Sequence, residues 1–194
     1  MVLKEEERIS VNNEGVLEKR QPVISAHSIC LTAVLAALIC ILTMVPRIPI
    51  PLGYAHLGDA AIFLLVLYAG RRESALAASI GSALADFLGG FPIWILPTLL
   101  IKYVMVEIVW HAAGEKPRLM SFRVLAGMLL SAVWMVVGYT LSGALLYGGL
   151  ATGSTMVPGL VLEGIVNLVA AMRQESYWNA PDCFRAVDKF PGYR

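Results

Sequence analysis

The longest uncharged stretch of the chain, residues 124–162, most constrains what this sequence can fold into. It runs for 39 residues without a lysine, arginine, aspartate or glutamate. About 20 mainly apolar residues in a helix cross a bilayer core, so this stretch is too long for a single span. Its centre, GGLATGSTMVPG, is rich in glycine and turn residues. The pattern therefore predicts two membrane spans joined by a loop.

The composition agrees with a membrane protein. The chain is 58% hydrophobic and 15% charged, whereas soluble domains are about a quarter charged. We expect an all-α, polytopic fold with six transmembrane helices in a domain at 27–172, between a leader at 1–26 and a tail at 173–194. The six apolar segments are 27–45, 57–70, 74–88, 94–113, 122–147 and 158–172.

The positions of lysine and arginine predict the orientation. If the N-terminus lies inside, only Arg47 falls on the outer side. The leader, the tail and both termini are then cytoplasmic, and 46–56, 89–93 and 148–157 face outward. The cytoplasmic cations are Lys4, Arg8, Lys19, Arg20, Arg71, Arg72, Lys116, Arg118, Arg123, Arg173, Arg185, Lys189 and Arg194.

Several polar and ionisable residues interrupt the apolar segments, where each charge costs roughly 2.5–3.5 kcal/mol at the bilayer centre. One group belongs to the outer half of the bundle: Asp59, Asp86, Lys102, Glu163 and Asn167. Two interpretations stay open at this point. Lys102 could pair with Asp86 or Asp59 and tie helices together, or these groups could contact a ligand. Glu107 and His111, four residues apart towards the cytoplasmic end, favour a role in fixing the bundle.

Aromatic residues lie at the same outer boundary: Tyr54, Phe91, Trp94 and Tyr147. An interfacial aromatic belt would account for them. Apolar walls with a few convergent polar groups are equally typical of a small-molecule site.

Small residues at four-residue spacing predict close helix contacts. Ala33 and Ala37 recur in the first segment, and Ala77, Gly81 and Ala85 in the third.

The motifs that would indicate other functions are missing from the sequence. It has no GxxxxGK(S/T) loop, no HExxH and no GxSxG. Its three cysteines and three histidines have no metal-ligand spacing. We therefore expect no enzyme activity, no metal, no cofactor and no nucleic-acid partner.

Two stretches carry a family resemblance: IPIPLGYAHLGDAAIFLLVLYAG and GSALADFLGGFPIWILPTLLIK. The order LGDA, ALAD, a proline-aromatic loop and PT-x-x-x-K resembles the substrate-binding S components of energy-coupling factor (ECF) vitamin transporters. The similarity is to the riboflavin-transporter-like subfamily and covers roughly residues 28–170. AVLAA at 33–37 matches the A-x-x-x-A motif of the family's first helix.

The resemblance implies six helices with both termini inside and one vitamin-like molecule bound near the outer face. It also implies docking through Ala33 and Ala37 onto a transmembrane coupling subunit that two cytoplasmic ATPases drive. Loop 46–56 would be a lid over a pocket built largely from helices four to six. The sixth segment, ending near 172, is shorter than is usual in the family. The substrate-binding candidates in or beside these regions are Tyr54, His56, Trp94, Lys102, Glu163 and Asn167.

Within the lid, prolines 46, 49 and 51 favour an extended chain because proline fixes φ and cannot continue a helix. We expect Tyr54 and His56 to face the site and Asp59 to fix the lid base, with Asp86 as a second structural residue.

The expected function is the substrate-binding subunit of an ECF importer in a prokaryotic plasma membrane. A pyridoxine- or hydroxymethylpyrimidine-type precursor fits the charged site slightly better than riboflavin. The alternative is a self-sufficient secondary transporter that uses Asp86, Lys102 and Glu163 as a proton or ion relay. A membrane enzyme or assembly factor is a third possibility.

Overall fold

The computed structural model describes residues 9–11, 17–19, 25–45, 47–114 and 121–178, so most of the leader and of the tail lies outside the described residues. The described part is mainly helical, with two short antiparallel hairpins. The helices are α1 (Ala26–Met44), α2 (Gly58–Tyr68), α3 (Arg71–Leu88), α4 (Ile95–Ala113), α5 (Phe122–Tyr147), α6 (Leu150–Ser154) and α7 (Val157–Trp178). The strands are β1 (Ile9–Val11), β2 (Leu17–Lys19), β3 (Ile48–Ile50) and β4 (Gly53–Ala55).

Each of the six apolar segments forms a helix. Four helical segments within the described residues are long and apolar enough to cross a membrane: Ala26–Met44, Pro92–Ala113, Phe122–Tyr147 and Leu150–Arg173. α2 is apolar but shorter, and α3 opens with two arginines and a glutamate. The number of spans and the side on which the termini lie therefore stay predictions.

Three details of the prediction need correction. The fold is not purely α-helical, because β3–β4 forms a hairpin in the lid and β1–β2 another in the leader. The loop predicted at 148–157 contains the short helix α6. The last helix does not end near 172 but continues to Trp178. The polar residues that follow the apolar run keep a helical backbone.

α1 and α3 pack closely because small residues line the surface between them. Gly81 of α3 lies against the backbone of Ala36 in α1, and a β-carbon at Gly81 would collide with the Ala36 carbonyl oxygen. Ala77 and Ala85, one turn to either side, are fully buried. Near the start of both helices, the Ser28 hydroxyl donates to the Glu73 carboxylate at 2.6 Å. The close contact predicted from small-residue spacing in α3 is therefore confirmed.

We expect Gly81→Ala to destabilise the protein by about 1–3 kcal/mol, because the new methyl group forces two backbones apart. Gly164→Ala in α7 is the matched control, since its β-carbon would meet its nearest neighbour at an ordinary 3.5 Å. Thermal unfolding in one detergent compares the two variants. Equal midpoints would contradict the close α1–α3 contact.

Candidate functional site

The lid, predicted at 46–56 and described from residue 47, is a hairpin. β3 pairs with β4 in antiparallel register, Ile48 opposite Ala55 and Ile50 opposite Gly53. Two residues form the turn, Pro51 and Leu52, and Leu52 has a positive φ of 63°. Such a backbone costs a leucine about 1–2 kcal/mol, and packing of the Leu52 side chain against the core offsets this strain.

One side of the lid is attached to α3 through Tyr54. Its hydroxyl donates to Oδ1 of Asp86 at 2.6 Å, and Thr98 of α4 donates to Oδ2 of the same carboxylate at 2.5 Å. Asp86, predicted to be structural, thus joins the lid, α3 and α4.

Arg47 strengthens the same attachment. Its guanidinium lies 4.4 Å from the centre of the Tyr54 ring. It also donates to the carbonyl oxygens of Ala85, at 3.3 Å, and Gly89, at 3.4 Å, at the C-terminal end of α3. A cation is favourable there because the last carbonyls of a helix carry partial negative charge.

The other side of the lid is attached to α7 through the fully buried Asn167. Its Nδ2 donates to the carbonyl oxygens of His56, at 2.7 Å, and Glu163, at 2.9 Å. Its Oδ1 accepts the Ala60 N–H at 2.9 Å. α2 has no capping side chain of its own at Leu57, so Asn167 of α7 satisfies one of the free N–H groups in its first turn.

His56 lies where lid, α2 and α7 meet. Its Nδ1 accepts the Gly58 N–H at 3.1 Å and lies 3.2 Å from Oε1 of Glu163. Burial lowers the pKa of His56 to about 4, and the Lys102 and Arg47 charges act in the same direction against the opposing effect of Asp59. The imidazole is therefore neutral at physiological pH. Because its Nδ1 is an acceptor, the 3.2 Å contact with Glu163 is a hydrogen bond in which the carboxyl group carries the proton.

Lys102 and Asp59 form an ion pair in the centre of the bundle. The ammonium donates to Oδ1 of Asp59, with the two side chains 0% and 1% exposed. The same ammonium lies 5.3 Å from the centre of the Tyr139 ring. The pair joins α4 to the first turn of α2, directly after the lid. Of the two partners that the sequence allowed for Lys102, the structure selects Asp59.

A cavity of about 40 Å³ lies beneath the lid. A buried water needs about 10–15 Å³ on this measure, so the cavity has room for roughly three waters. Aromatic rings dominate its wall, with Trp94 5.7 Å from Tyr139 and Tyr54 5.3 Å from Phe91 between ring centres. The lining residues belong to the lid, to α3, to the segment just before α4, to α5, and to α7 and the residue just before it. They are Ile50, Gly53, Tyr54, His56, Asp86, Phe91, Trp94, Tyr139, Met156, Leu160 and Glu163.

The structure brings most of the predicted site residues to this cavity. Four of the six substrate-binding candidates line it: Tyr54, His56, Trp94 and Glu163. Lys102 and Asn167 are not lining residues; both are fully buried beside the cavity and hold its walls together.

Two contributors escaped the sequence analysis. Tyr139 lines the cavity, and Thr98 bonds both Asp86 and, at 3.1 Å, the Tyr139 hydroxyl. The sequence did contain a signal for Tyr139, which lies far from either end of a long uncharged stretch. A tyrosine hydroxyl in such a position needs a polar partner.

The remaining predicted residues lie elsewhere. Ala33 and Ala37 are both exposed on α1, so the close helix contact predicted from their spacing is not made within the described residues; Ala36 makes the contact with α3. At the opposite end of α3 and α4, Arg71 makes a 2.6 Å ion pair with Glu107, and His111 lies 3.7 Å from the same carboxylate. Glu107 thus joins two helices, in line with the predicted role in fixing the bundle.

Apolar helices around a lidded, aromatic cavity define a membrane-embedded binding protein. The family model of the ECF-type riboflavin transporter, S component, matches residues 23–173. The chain therefore belongs to this family of ECF transporter S components, the substrate-binding subunits of these transporters.

Two further similarities accompany the family match. A solved S component of a bacterial ECF transporter superposes with a TM-score of 0.62 over 78% of this chain and 94% of the other, at 15% identity. That likeness shows the fold alone. An uncharacterized protein in gap 3′ region of Pyrococcus woesei is 39% identical over 113 residues, which are 57% of this chain and 74% of the relative.

Breaking the buried ion pair should be costly. We expect Lys102→Met and Asp59→Asn each to lower the free energy of unfolding by about 3–5 kcal/mol, because each leaves a buried group without its charged partner. The double variant should be more stable than either single variant, since neither position then carries a buried, unpaired charge. Thermal unfolding in detergent measures all four proteins, and additive losses would show that the two side chains do not interact.

The depressed pKa of His56 predicts a loss of stability in acid. Between about pH 6.5 and 4, His56 binds a proton in the unfolded chain but not in the folded protein. The free energy of unfolding therefore decreases as the pH falls through this window. The loss from His56 is on the order of 3 kcal/mol. His56→Gln should show a shallower fall in unfolding midpoint between pH 7 and pH 4. Parallel curves for the two proteins would contradict a neutral, buried His56.

Proposed function

We propose that this protein captures a small vitamin or vitamin precursor from the outer side of a prokaryotic plasma membrane. The observation that carries the proposal is the cavity beneath the lid, with its aromatic wall and convergent polar groups. Substrate binds by aromatic packing and hydrogen bonds, without covalent chemistry. The family supports partner subunits, a transmembrane coupling subunit and two cytoplasmic ATPases, that drive release to the inside.

The size of the cavity favours a single-ring precursor of the pyridoxine or hydroxymethylpyrimidine type over riboflavin. Space for roughly three waters is less than either ligand needs, so the walls have to move for both. A single substituted ring demands the smaller movement. Trp94 supports a heterocycle, because its Nε1–H is buried without a hydrogen-bond partner among the described residues and is available to a ligand acceptor.

Entry of the ligand requires the lid to open on the Tyr54 side. The Tyr54–Asp86 hydrogen bond borders the cavity, whereas the Asn167 contacts are buried and engage backbone groups of the lid base. We infer that the Tyr54 side swings away while the Asn167 side acts as the hinge.

The membrane arrangement belongs to the same proposal. Six spans with both termini cytoplasmic place the lid outside and the Arg71–Glu107 ion pair inside, as the distribution of lysine and arginine favours. Ala33 and Ala37 are exposed beside Val34 and Leu38 on α1, which supports this face as the docking surface for the coupling subunit.

The self-sufficient transporter is the weaker candidate, and the family does not favour it. Its proton or ion relay would use Asp86, Lys102 and Glu163. Lys102 instead bonds Asp59, while Asp86 is engaged by Tyr54 and Thr98.

The first experiment is mass spectrometry of small molecules released from gently purified protein, followed by tryptophan-fluorescence titration with a vitamin panel. We expect stoichiometric, saturable binding that Trp94→Leu weakens about tenfold, because a stacked aromatic contributes about 0.5–1.5 kcal/mol beyond its buried area. Trp134→Leu is the control: Trp134 lies on α5, outside the cavity lining, and bonds the Ile101 carbonyl oxygen. Uptake by this chain alone in liposomes under a pH gradient would overturn the proposal in favour of the secondary transporter.

A further inference from the structure

The described cavity wall has two acidic side chains. Among the described residues that line the cavity, Asp86 and Glu163 carry carboxyl groups, and no lysine or arginine is present. Both acids are largely buried, with residue exposures of 7% and 5%. A ligand in this cavity therefore meets carboxyl oxygens that can accept hydrogen bonds on two sides, from α3 and from α7.

The nearby cations are engaged elsewhere. Lys102 is bonded to Asp59 behind the wall. Arg47 covers the Tyr54 ring and donates to the carbonyl oxygens at the end of α3. His56 adds no positive charge, because its Nδ1 accepts the Gly58 N–H and burial lowers its pKa to about 4. The described part of the wall thus offers no cation to a ligand carboxylate or phosphate.

Both carboxyl groups retain acceptor capacity. Each carboxylate oxygen accepts about two hydrogen bonds. Tyr54 and Thr98 use one position on each oxygen of Asp86, so a further donor can be accommodated while the lid remains attached. Four aromatic rings complete the wall, and their electron-rich faces attract a positive charge.

Resting on the function proposed above, we propose that the substrate is a flat aromatic heterocycle bearing a positive charge or an exocyclic amino group, selected by Asp86 and Glu163. The amino group donates to the carboxyl oxygens. A ring acceptor receives the unpartnered Nε1–H of Trp94, which lies in the same wall. Phosphorylated and carboxylated relatives are rejected, because their charge would lie beside two acids without a compensating cation.

Matched ligand pairs test this selection on the unmodified protein. Fluorescence titration compares pyridoxamine with pyridoxine, and aminohydroxymethylpyrimidine with its oxo analogue, alongside riboflavin and pyridoxal phosphate. We expect the amino member of at least one pair to bind about 10- to 100-fold more tightly than its partner, as a charge-assisted hydrogen bond contributes about 1.5–3 kcal/mol. Pyridoxal phosphate should bind weakly or not at all.

Variants then locate the selectivity. Asp86→Asn and Glu163→Gln should reduce the preference within the pair towards unity, rather than weaken both members equally. Glu107→Gln removes the same charge at the other end of the helices and should leave the preference unchanged. Thermal unfolding checks that each variant is folded. If a variant does not fold, the preference that the unmodified protein shows within the ligand pairs decides the test.

Two kinds of failure are distinguishable. Tight binding of riboflavin, of pyridoxal phosphate or of the hydroxyl and oxo members would overturn the acidic selection and leave the proposed function standing. The same holds if Asp86→Asn and Glu163→Gln both retain the preference. No binding of any probe, and no small molecule released from the purified protein, would overturn the proposed function together with this inference.

Discussion

The buried contact between Lys102 and Asp59 is the interaction on which the rest of the site depends. Removing two charges from water costs several kcal/mol each, so such a pair persists only with direct contact between the partners. Asp59 is in the first turn of α2, directly after the lid, and the next residue, Ala60, donates its N–H to Asn167 of α7. One helical turn is thus held by α4 through a charge and by α7 through an amide. That turn fixes the end of the lid and therefore the position of the cavity.

The lid is consequently attached in two different ways. At its base, Asn167 satisfies backbone groups of His56 and Ala60 that would otherwise be buried without partners, so loss of these bonds leaves costly free groups. At the other side, Tyr54 meets Asp86 next to the cavity, where water or a ligand can replace it. This difference in cost supports the proposed opening, in which the base is the fixed point and the Tyr54 side moves. A proline-containing hairpin suits this arrangement, because it moves as a unit when one side is released.

The sequence predicted the helices because the length of each apolar segment and the positions of its charges are local properties, and these decide which segments can cross a bilayer. It also predicted that polar residues of the outer half gather near the lid. It could not decide between Asp86 and Asp59 for Lys102, since both precede α4 and depth along a helix does not specify which neighbour faces it. Tyr139 escaped because its role depends on the contact of its helix with Thr98 and Trp94. The continuation of α7 to Trp178 was not predicted, because the end of an apolar run marks where the hydrophobic surface ends and not where the helix ends.

Asp86 connects recognition with the position of the lid. Its carboxylate accepts the Tyr54 hydrogen bond that attaches the lid, and the same residue lines the cavity. A ligand that donates to Asp86 adds to this network, whereas an anionic ligand would compete with the carboxylate for the same hydroxyl donors and loosen Tyr54. The proposed charge selection and the proposed lid closure thus have a common physical origin in the Asp86 side chain. In the proposed selection, a substrate with a donor group is retained because its binding and the closed lid stabilise the same carboxylate. The volume of the cavity and the chemistry of its wall then both restrict which ring binds.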